Sequence, residues 1–284
     1  MQNSVTDRFD LSGKVAAITG AGGALCGAMA DALGMAGVKV AVLDIDGGKA
    51  EARARAIVAA GGTAQAFPCD VLDTSALKEG SRAVCDRWGA PDFLINGAGG
   101  NHPRGSTSEE FYATEGAADT VERSFFDLEA GDFGRVFDLN FMGAFLTSQA
   151  FAREMIAKGK GAIVNISSMS AFTPLTKVPA YSAAKAALSN FTQWLAVHFA
   201  HTGVRVNALA PGFFMTEQLK FLHIDQETGA LLPRAQKVIA HTPMGRYGEP
   251  DDLVGPLVWL LSDASRFVTG VVVPIDGGFS SYTI

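Results

Sequence analysis

A tyrosine and a lysine stand four positions apart in the segment Tyr181-Ser182-Ala183-Ala184-Lys185, and Ser168 and Asn140 precede them. On a helix, residues at this spacing share one face, so the Lys185 ammonium is expected beside the Tyr181 phenol. Free tyrosine has a pKa near ~10, and a neighbouring ammonium favours the phenolate and lowers that pKa. Ser168 supplies a second hydroxyl that can bind a substrate oxygen. These residues predict acid–base chemistry at an oxygen atom, although the same spacing also occurs on ordinary amphipathic helices.

A glycine-rich turn follows the first predicted strand and leads into a predicted helix. It reads Thr19-Gly20-Ala21-Gly22-Gly23-Ala24-Leu25-Cys26-Gly27. Glycine lets the backbone approach a pyrophosphate, which the positive end of a helix stabilises. Asp44 ends the second predicted strand about twenty residues further on. A carboxylate at this position accepts hydrogen bonds from the ribose hydroxyls of NAD and repels the 2′-phosphate of NADP. The pattern predicts NAD as cofactor; the alternative for Asp44 is a helix-capping residue or a loop acid.

Short apolar runs alternate with alanine-rich stretches along the chain. The predicted strands are Lys14–Thr19, Val38–Leu43, Thr63–Phe67, Phe93–Ile95, Ala162–Ile166, Val204–Leu209 and Val271–Pro274. The predicted helices are Leu25–Met35, Lys49–Ala60, Ser75–Trp88, Phe133–Ala157, Ala180–Ala200 and Asp251–Leu261. Nearly continuous apolar strands indicate a parallel sheet covered on both faces. We therefore predict one doubly wound α/β domain of the Rossmann type over residues 1–284, with a central, mostly parallel seven-stranded sheet flanked by helices.

Composition and charge narrow the possible partners and the cellular compartment. The net charge of −6 comes with no basic run, which argues against nucleic acid. No apolar run reaches the ~18 residues of a membrane span, and the polar segment Met1–Phe9 lacks a signal-peptide core. The three cysteines, Cys26, Cys69 and Cys85, form no Cys-x-x-Cys pair. We therefore expect a cytoplasmic protein with neither disulfides nor a metal site.

Taken together, these motifs resemble those of the short-chain dehydrogenase/reductase family over almost the whole chain, from Leu11 to Gly278. The matching residues are Thr19-Gly20, Asp70, Asn96-Gly97-Ala98-Gly99, Asn140, Ser168, Tyr181, Lys185, Asn207 and Pro211-Gly212. The resemblance implies that Tyr181 is the catalytic acid/base and that Ser168 orients the substrate carbonyl. Lys185 would hold the nicotinamide ribose and lower the pKa of Tyr181, and Asn140 would support a proton-relaying water.

The resemblance also implies a cofactor site and an assembly. The residues expected at the cofactor are Gly20, Gly22, Gly23, Ala24, Leu25, Asp44, Asp70, Val71, Asn96, Gly97, Ala98, Tyr181, Lys185, Pro211, Gly212, Phe214 and Thr216. A turn or capping role is the alternative for Asp70. A homotetramer is expected, built on the helices Asn140–Ala157 and Ala180–Ala200 and on the C-terminal strand. Phe191, Trp194, Leu195 and Phe199 could instead face the protein's own core.

Two departures from the family pattern stand out. Ala24 and Cys26 occupy the positions of the last two glycines in the usual turn, where a residue with a side chain does not easily adopt positive φ. This puts the geometry of the pyrophosphate site in question. The segment 101–132 is longer than the family norm and is predicted to be an inserted loop. Residues 213–242 match the family's variable substrate lid.

A narrower resemblance concerns the substrate. Gly22-Gly23-Ala24-Leu25-Cys26, Asn96-Gly97-Ala98-Gly99-Gly100-Asn101-His102-Pro103 and Ala171-Phe172-Thr173-Pro174-Leu175 are similar to the D-mannonate oxidoreductase (fructuronate reductase) branch. The implied reaction is reversible, NADH-dependent reduction of D-fructuronate to D-mannonate. Such a sugar acid needs a cation for its carboxylate. The candidates for substrate binding are Asn101, His102, Arg104, Ser168 and Lys220. His102 could instead order the loop, and Arg104 could be a solvated cation.

Other functions remain open from the sequence alone. Within the enzyme class, the alternatives are reduction or oxidation of another sugar acid, of a gluconate-type polyol or of a 3-oxoacyl thioester. Outside it, the altered glycine turn is compatible with a protein that senses NAD without catalysis. The presence of Asn140, Ser168, Tyr181 and Lys185 argues against a sensor, which has no chemical need for them.

Overall fold

A seven-stranded parallel sheet forms the centre of the protein in this computed structural model, which describes residues 4–112, 122–216, 219–220, 223–225 and 227–283. The strands are β1 (Val15–Thr19), β2 (Lys39–Asp44), β3 (Thr63–Pro68), β4 (Phe93–Asn96), β5 (Gly161–Ile166), β6 (Val204–Pro211) and β7 (Val272–Ile275). Their order in the sheet is β3-β2-β1-β4-β5-β6-β7, and every neighbouring pair is parallel. The predicted fold class is confirmed.

Helices cover both faces of the sheet. They are α1 (Ala24–Met35), α2 (Gly47–Ala59), α3 (Thr74–Trp88), α4 (Ala130–Phe137), α5 (Gly143–Lys158), α6 (Pro179–His198), α7 (Pro233–His241) and α8 (Val254–Leu261). Alternate residues of each strand point to opposite faces and so feed two separate cores. In β1, Ala16 and Ile18 pack with α1, α2 and α8, whereas Val15 and Ala17 pack with α3, α5 and α6.

The sequence also fixes where two of the helices begin. The Asp46 carboxylate accepts a hydrogen bond from the Lys49 N–H at 3.1 Å and caps α2. Asp73 does the same for α3 through the N–H groups of Ser75 and Ala76. Both aspartates follow a strand by only a few residues, so each helix starts close to the carboxyl edge of the sheet.

The long helix predicted over Phe133–Ala157 is interrupted. A π-helical turn at Asp138–Met142 separates α4 from α5. Such turns often occur at functional sites, because the wider turn redirects one side chain. The predicted helix Asp251–Leu261 is shorter, since Pro250–Leu253 forms a 3₁₀ turn before α8. Helix α7, inside the predicted lid, was missed by the sequence analysis.

The described parts of the predicted inserted loop (101–132) and of the predicted lid (213–242) touch each other. The stem of the loop closes where the Ser108 N–H donates to the Arg123 carbonyl at 2.9 Å and the Arg123 N–H donates to the Ser108 hydroxyl at 3.0 Å. The Lys237 ammonium of α7 lies 3.2 Å from the Glu110 carboxylate of the loop. Both segments also contain residues outside the described part. Among the described residues, no helix combines the length and apolar character needed to cross a bilayer.

Candidate active site and cofactor site

The residues singled out by sequence lie at the carboxyl edge of the sheet. Gly20 follows β1, Asp44 ends β2, Asn96 ends β4, Ser168 follows β5 and Pro211 ends β6. All the strands run in the same direction, so these ends meet along one edge. This is the edge at which doubly wound sheets bind their ligands.

Ser168, Tyr181 and Lys185 form one cluster at this edge. Lys185 is 4% exposed, and its ammonium donates to the Ile166 carbonyl at 2.7 Å, at the end of β5. The same nitrogen lies 5.6 Å from the centroid of the Tyr181 ring. Tyr181 is half-buried, and Ser168 is buried beside it. The arrangement brings two hydroxyl groups and a buried cation together, as the spacing in α6 predicts.

The pKa of Tyr181 is shifted in the direction opposite to the prediction. Burial raises it, because loss of hydration disfavours the phenolate, while an interaction with the Ser168 hydroxyl acts to lower it. Burial also lowers the pKa of Lys185 to about 8. The prediction considered only the ammonium and not the cost of burying the phenol. Tyr181 is therefore protonated at neutral pH in this structure and can donate a proton.

Asn140 lies in the π-helical turn and joins α4 to the end of β4. Its amide nitrogen donates to the carbonyls of Gly100 at 2.7 Å and Val136 at 2.8 Å. Its side-chain oxygen accepts from the Gly100 N–H at 3.0 Å. A Cβ atom on Gly99 would lie 2.6 Å from that oxygen and 3.3 Å from the Lys185 ammonium. Asn140 and Lys185 thus approach the same backbone segment, which requires glycine there.

The glycine-rich turn keeps a regular geometry despite its two substitutions. Ala24 and Cys26 both lie in the first turn of α1, so neither has positive φ. Gly20 carries the positive φ of the turn, at 68°. The expected conflict at Ala24 and Cys26 does not arise, because the helix begins at Ala24 and the strain falls on a true glycine. The first turn of α1, with Leu25 in it, faces the strand ends with its N–H groups.

Cys26 packs tightly against the turn that follows β4. A Cβ atom on Gly97 would lie 2.1 Å from the Cys26 sulfur and 2.9 Å from the Thr19 carbonyl. The Thr19 hydroxyl accepts from the N–H groups of Gly97 at 3.0 Å and Ala98 at 3.2 Å. Burial raises the pKa of the Cys26 thiol to about 12. Cysteine in place of glycine is thus accommodated because residue 97 has no side chain, a pairing that the sequence analysis did not recognise.

Asp44 is positioned directly against the glycine-rich turn. One carboxylate oxygen accepts from the Gly22 N–H at 3.0 Å, and the other accepts from the Asp46 N–H at 3.0 Å. A Cβ atom on Gly22 would lie 2.9 Å from that carboxylate. Asp46, and not Asp44, caps α2, so the capping alternative for Asp44 is wrong. The bond from the Asp46 N–H does give Asp44 the loop role that was the other alternative.

Two other residues expected at the cofactor have different surroundings. The Asn96 amide donates to the Ser148 hydroxyl at 2.9 Å and the Asn165 side chain at 2.8 Å, so it belongs to a buried polar network beneath the edge. Its amide nitrogen is therefore committed to this network, whereas its side-chain oxygen is buried and has no hydrogen-bond partner among the described residues. The Asp70 carboxylate accepts a hydrogen bond from the Leu72 N–H at 2.9 Å. This is the turn role that the sequence suggested as the alternative to cofactor binding. Val71 is buried and packs against Gly143.

The segment after β6 is shaped by close backbone packing. Gly212 donates its N–H to the Ile275 carbonyl at 2.9 Å, and a Cβ atom there would lie 2.7 Å from the Asp276 Cα. The Phe214 ring is 5% exposed and packs over Gly248, so it is a core residue and not an open cofactor contact. The Thr216 hydroxyl accepts from the Leu219 N–H at 3.2 Å. Pro211 and Gly212 are the residues of this segment that remain at the edge of the sheet.

The residues predicted to bind substrate are largely engaged within the inserted loop. Asn101 donates to the Ser106 hydroxyl at 2.8 Å, and the His102 ring nitrogen accepts from the Arg104 N–H at 3.2 Å. This is the loop-ordering role considered for His102. The Arg104 guanidinium lies 3.5 Å from the Asp132 carboxylate, which it shares with Arg135. Lys220 is exposed, and its N–H donates to the Thr216 carbonyl at 2.8 Å.

Lys177, four residues before Tyr181, was not singled out from the sequence. Its φ of 71° is the only positive value of a non-glycine residue among those described. Its ammonium donates to the Ser108 carbonyl of the inserted loop, and its own carbonyl accepts from the Thr107 N–H at 2.9 Å. The sequence signal is weak: a lysine near Pro179 in a loop is common, and only the backbone geometry distinguishes this one.

The edge of the sheet fits a nicotinamide dinucleotide. The turn at Gly20, Gly22 and Gly23 forms a backbone cradle beside the N-terminus of α1, and added Cβ atoms there would crowd Ala98, the Asp44 carboxylate and the Gly20 carbonyl. Asp44 lies at the far end of this cradle and the Tyr181–Lys185 pair lies beyond β4. The donor set therefore suits a ligand that carries a pyrophosphate between two sugar rings.

Comparison with known proteins agrees with this architecture. The family model described as Enoyl-(Acyl carrier protein) reductase matches residues 20–280. An uncharacterized oxidoreductase of Bacillus subtilis, UxuB, is 52% identical over 96% of this chain and 97% of its own. The crystal structure of a candidate D-mannonate oxidoreductase from Haemophilus influenzae with bound NAD is 46% identical, with a TM-score of 0.92 over 96% of this chain and 97% of that one. The structure of a gluconate 5-dehydrogenase from Burkholderia cenocepacia, in complex with NADP and tartrate, is 31% identical. Its TM-score is 0.84 over 99% of this chain and 100% of that one.

The chain belongs to the short-chain dehydrogenase/reductase family. It is an NAD(P)-dependent oxidoreductase acting on CH–OH groups and their ketones.

Proposed function

We propose that the protein interconverts D-fructuronate and D-mannonate with NAD(H). The relation to the Haemophilus influenzae structure with bound NAD, at 46% identity over nearly the full length, is the observation that carries the choice of substrate. The cluster of Ser168, Tyr181 and Lys185 supports the reaction class. The relation to gluconate 5-dehydrogenase supports a second candidate, oxidation of a gluconate-type acid.

In the proposed reaction, Ser168 and Tyr181 bind the substrate oxygen together. Tyr181 donates its phenolic proton to the ketone oxygen during reduction and takes it back during oxidation. The ammonium of Lys185 stabilises the phenolate left after the proton has moved, and the Ile166 carbonyl fixes its position. Asn140 holds the backbone at Gly100 beside this group. A bound nicotinamide would supply or accept the hydride at the substrate carbon, and Asp44 with the turn at Gly20–Leu25 would hold the rest of the dinucleotide.

The substrate proposal is tested by following the absorbance of NADH in the presence of D-fructuronate, within a panel of hexuronates and aldonates. Turnover of fructuronate well above that of gluconate-type acids is expected. Faster oxidation of a gluconate-type acid would favour the second candidate. Binding of NADH without turnover of any panel member would point to a nucleotide sensor.

Asp44 is expected to make NAD(H) strongly preferred over NADP(H). When NADP(H) binds, the Asp44 carboxylate loses a hydrogen bond to the ribose and repels the 2′-phosphate. Asp44→Ala removes both effects and should reduce the preference for NAD(H) over NADP(H) by about 10- to 100-fold, the effect of losing a charge-assisted hydrogen bond. The ratio of kcat/KM for the two cofactors measures this. Asp46→Ala is the matched control, because Asp46 caps α2 and should leave the ratio unchanged. Equal wild-type efficiencies with both cofactors would contradict the role of Asp44.

We also propose a homotetramer that uses α5 and α6. Leu195 faces the protein's own core, but Trp194 is 56% exposed and stacks with Phe191 and His198. This row lines an apolar groove of about 360 Å³ between the two helices. Exposed aromatic surface of this kind is costly in water unless a partner covers it. Light scattering at low protein concentration should give the mass of four chains, and a stable monomer would contradict the assembly.

A further inference from the structure

Lys177 combines a strained backbone with a position beside the candidate active site. It lies on the connection from β5 to α6, which carries Ser168 near its start and leads to Tyr181 just after the start of α6. Its φ of 71° is unfavourable for a residue with a side chain. Such outliers persist only where the surrounding structure enforces them, and they cluster at active sites and ligand clamps. The outlier therefore marks Lys177 as a candidate for a functional role.

The contacts of Lys177 hold its ammonium in place without neutralising it. The ammonium donates to the Ser108 carbonyl, and the backbone bond from Thr107 fixes the same residue from the other side. An ammonium has three N–H donors, so this carbonyl leaves donors available. No carboxylate among the described residues forms an ion pair with it. The side chain is half-buried, which strengthens its attraction for an anion.

Four other cations in and around the inserted loop, α4, α7 and the segment after the lid form ion pairs. Arg104 and Arg135 share Asp132, Lys237 pairs with Glu110 and Arg246 pairs with Asp252. Binding a substrate carboxylate at any of these would require it to compete with an existing protein carboxylate. Lys177 involves no such competition.

We propose that Lys177 binds the carboxylate of the sugar-acid substrate and so determines specificity for anionic substrates. This inference rests on the proposed function. Ser168 and Tyr181 locate the ketone oxygen, and in a uronate a short chain of hydroxyl-bearing carbons separates the ketone from the carboxylate. The carboxylate therefore lies a few atoms away from the catalytic hydroxyls, and the β5–α6 connection that carries Lys177 runs from Ser168 to Tyr181. A cation fixed before substrate arrives loses little freedom on binding.

Lys177→Met tests the proposal, because methionine keeps an unbranched side chain and removes the charge. The KM for fructuronate should rise by about 10- to 100-fold while kcat changes little, as expected when one charge-assisted contact is lost. Lys177→Arg should retain most of the affinity. Lys237→Met, which removes a lysine already paired with Glu110, is the matched control and should leave KM within a few-fold of wild type. Circular dichroism and the Kd for NADH should be unchanged in all three variants.

The outcomes separate this inference from the proposed function. If the wild-type protein turns over no hexuronate or aldonate, the proposed function is wrong and the inference falls with it. If the wild type is active and Lys177→Met has an unchanged KM, the inference alone is wrong. A fall in kcat without a rise in KM, or a loss in Lys177→Arg as large as in Lys177→Met, would also overturn it, since Lys177 would then only fix the loop.

Discussion

Replacing Tyr181 with phenylalanine is expected to lower turnover by at least about 100-fold, because general acid–base catalysis typically contributes that much or more. The ring and its packing in α6 are preserved, and only the hydroxyl that interacts with Ser168 is lost. Burial raises the pKa of Tyr181, so the wild-type phenol is protonated at neutral pH and ready to donate in the direction of ketone reduction. Steady-state assays of fructuronate reduction, with NADH binding followed by fluorescence, measure the two effects separately.

The Kd for NADH should stay within a few-fold of wild type in Tyr181→Phe. Tyr282→Phe, which removes a hydroxyl near the C-terminus, is the matched control and should keep normal turnover. Near-normal activity of Tyr181→Phe would mean that another group transfers the proton. A joint loss of turnover and cofactor binding would mean that the hydroxyl mainly supports the nucleotide site.

Gly97→Ala is expected to destabilise the protein and to weaken dinucleotide binding. The added methyl group would lie 2.1 Å from the Cys26 sulfur and 2.9 Å from the Thr19 carbonyl, so the turn after β4 and the start of α1 must move apart. Overpacking of a well-packed interior typically costs about 1–3 kcal/mol, and here the displaced atoms also form the cofactor cradle. Thermal unfolding and the Kd for NADH measure the two losses.

A second substitution tests whether the sulfur is the cause. Cys26→Gly in the Gly97→Ala background should recover part of the stability, because the shorter contact is removed while the Thr19 carbonyl remains. Gly131→Ala is the matched control, since a Cβ atom at Gly131 has no neighbour within 4 Å. Equal stability of the single and double variants would show that the contact with Cys26 is not what requires glycine at position 97.

Much of the fold could be predicted because its signals are local. Apolar runs such as Val15–Thr19 act within the elements they define. The acidic caps Asp46 and Asp73 are equally local, but capping was considered only at Asp44 and Asp70. The π-helical turn at Asp138–Met142 could not be predicted in this way. Asn140 in that turn bonds the backbone of Gly100, a residue distant in sequence and adjacent only in the folded chain.

In the candidate site, too, the features that depend on local spacing were predictable and those that depend on the folded chain were not. The spacing of Tyr181 and Lys185 is local, so their proximity follows from the helix alone. The pKa of Tyr181 depends on how deeply the ring is buried, which no spacing reveals, and the direction of its shift was predicted wrongly. Arg104 looked like a free cation because its partner, Asp132, comes much later in the chain. Lys177 drew no attention because its backbone conformation exists only in the fold.

The thiol of Cys26 has a consequence for how the protein tolerates oxidants. Alkylating agents and peroxides react with thiolates, whereas a neutral, buried thiol is largely inert. With a pKa of about 12 and almost no exposed surface, Cys26 stays un-ionised across the physiological pH range. The Cys26 thiol therefore lies beside the nucleotide cradle and stays unreactive for as long as the chain remains folded. Unfolding would expose it, so damage at this position would follow loss of structure instead of causing it.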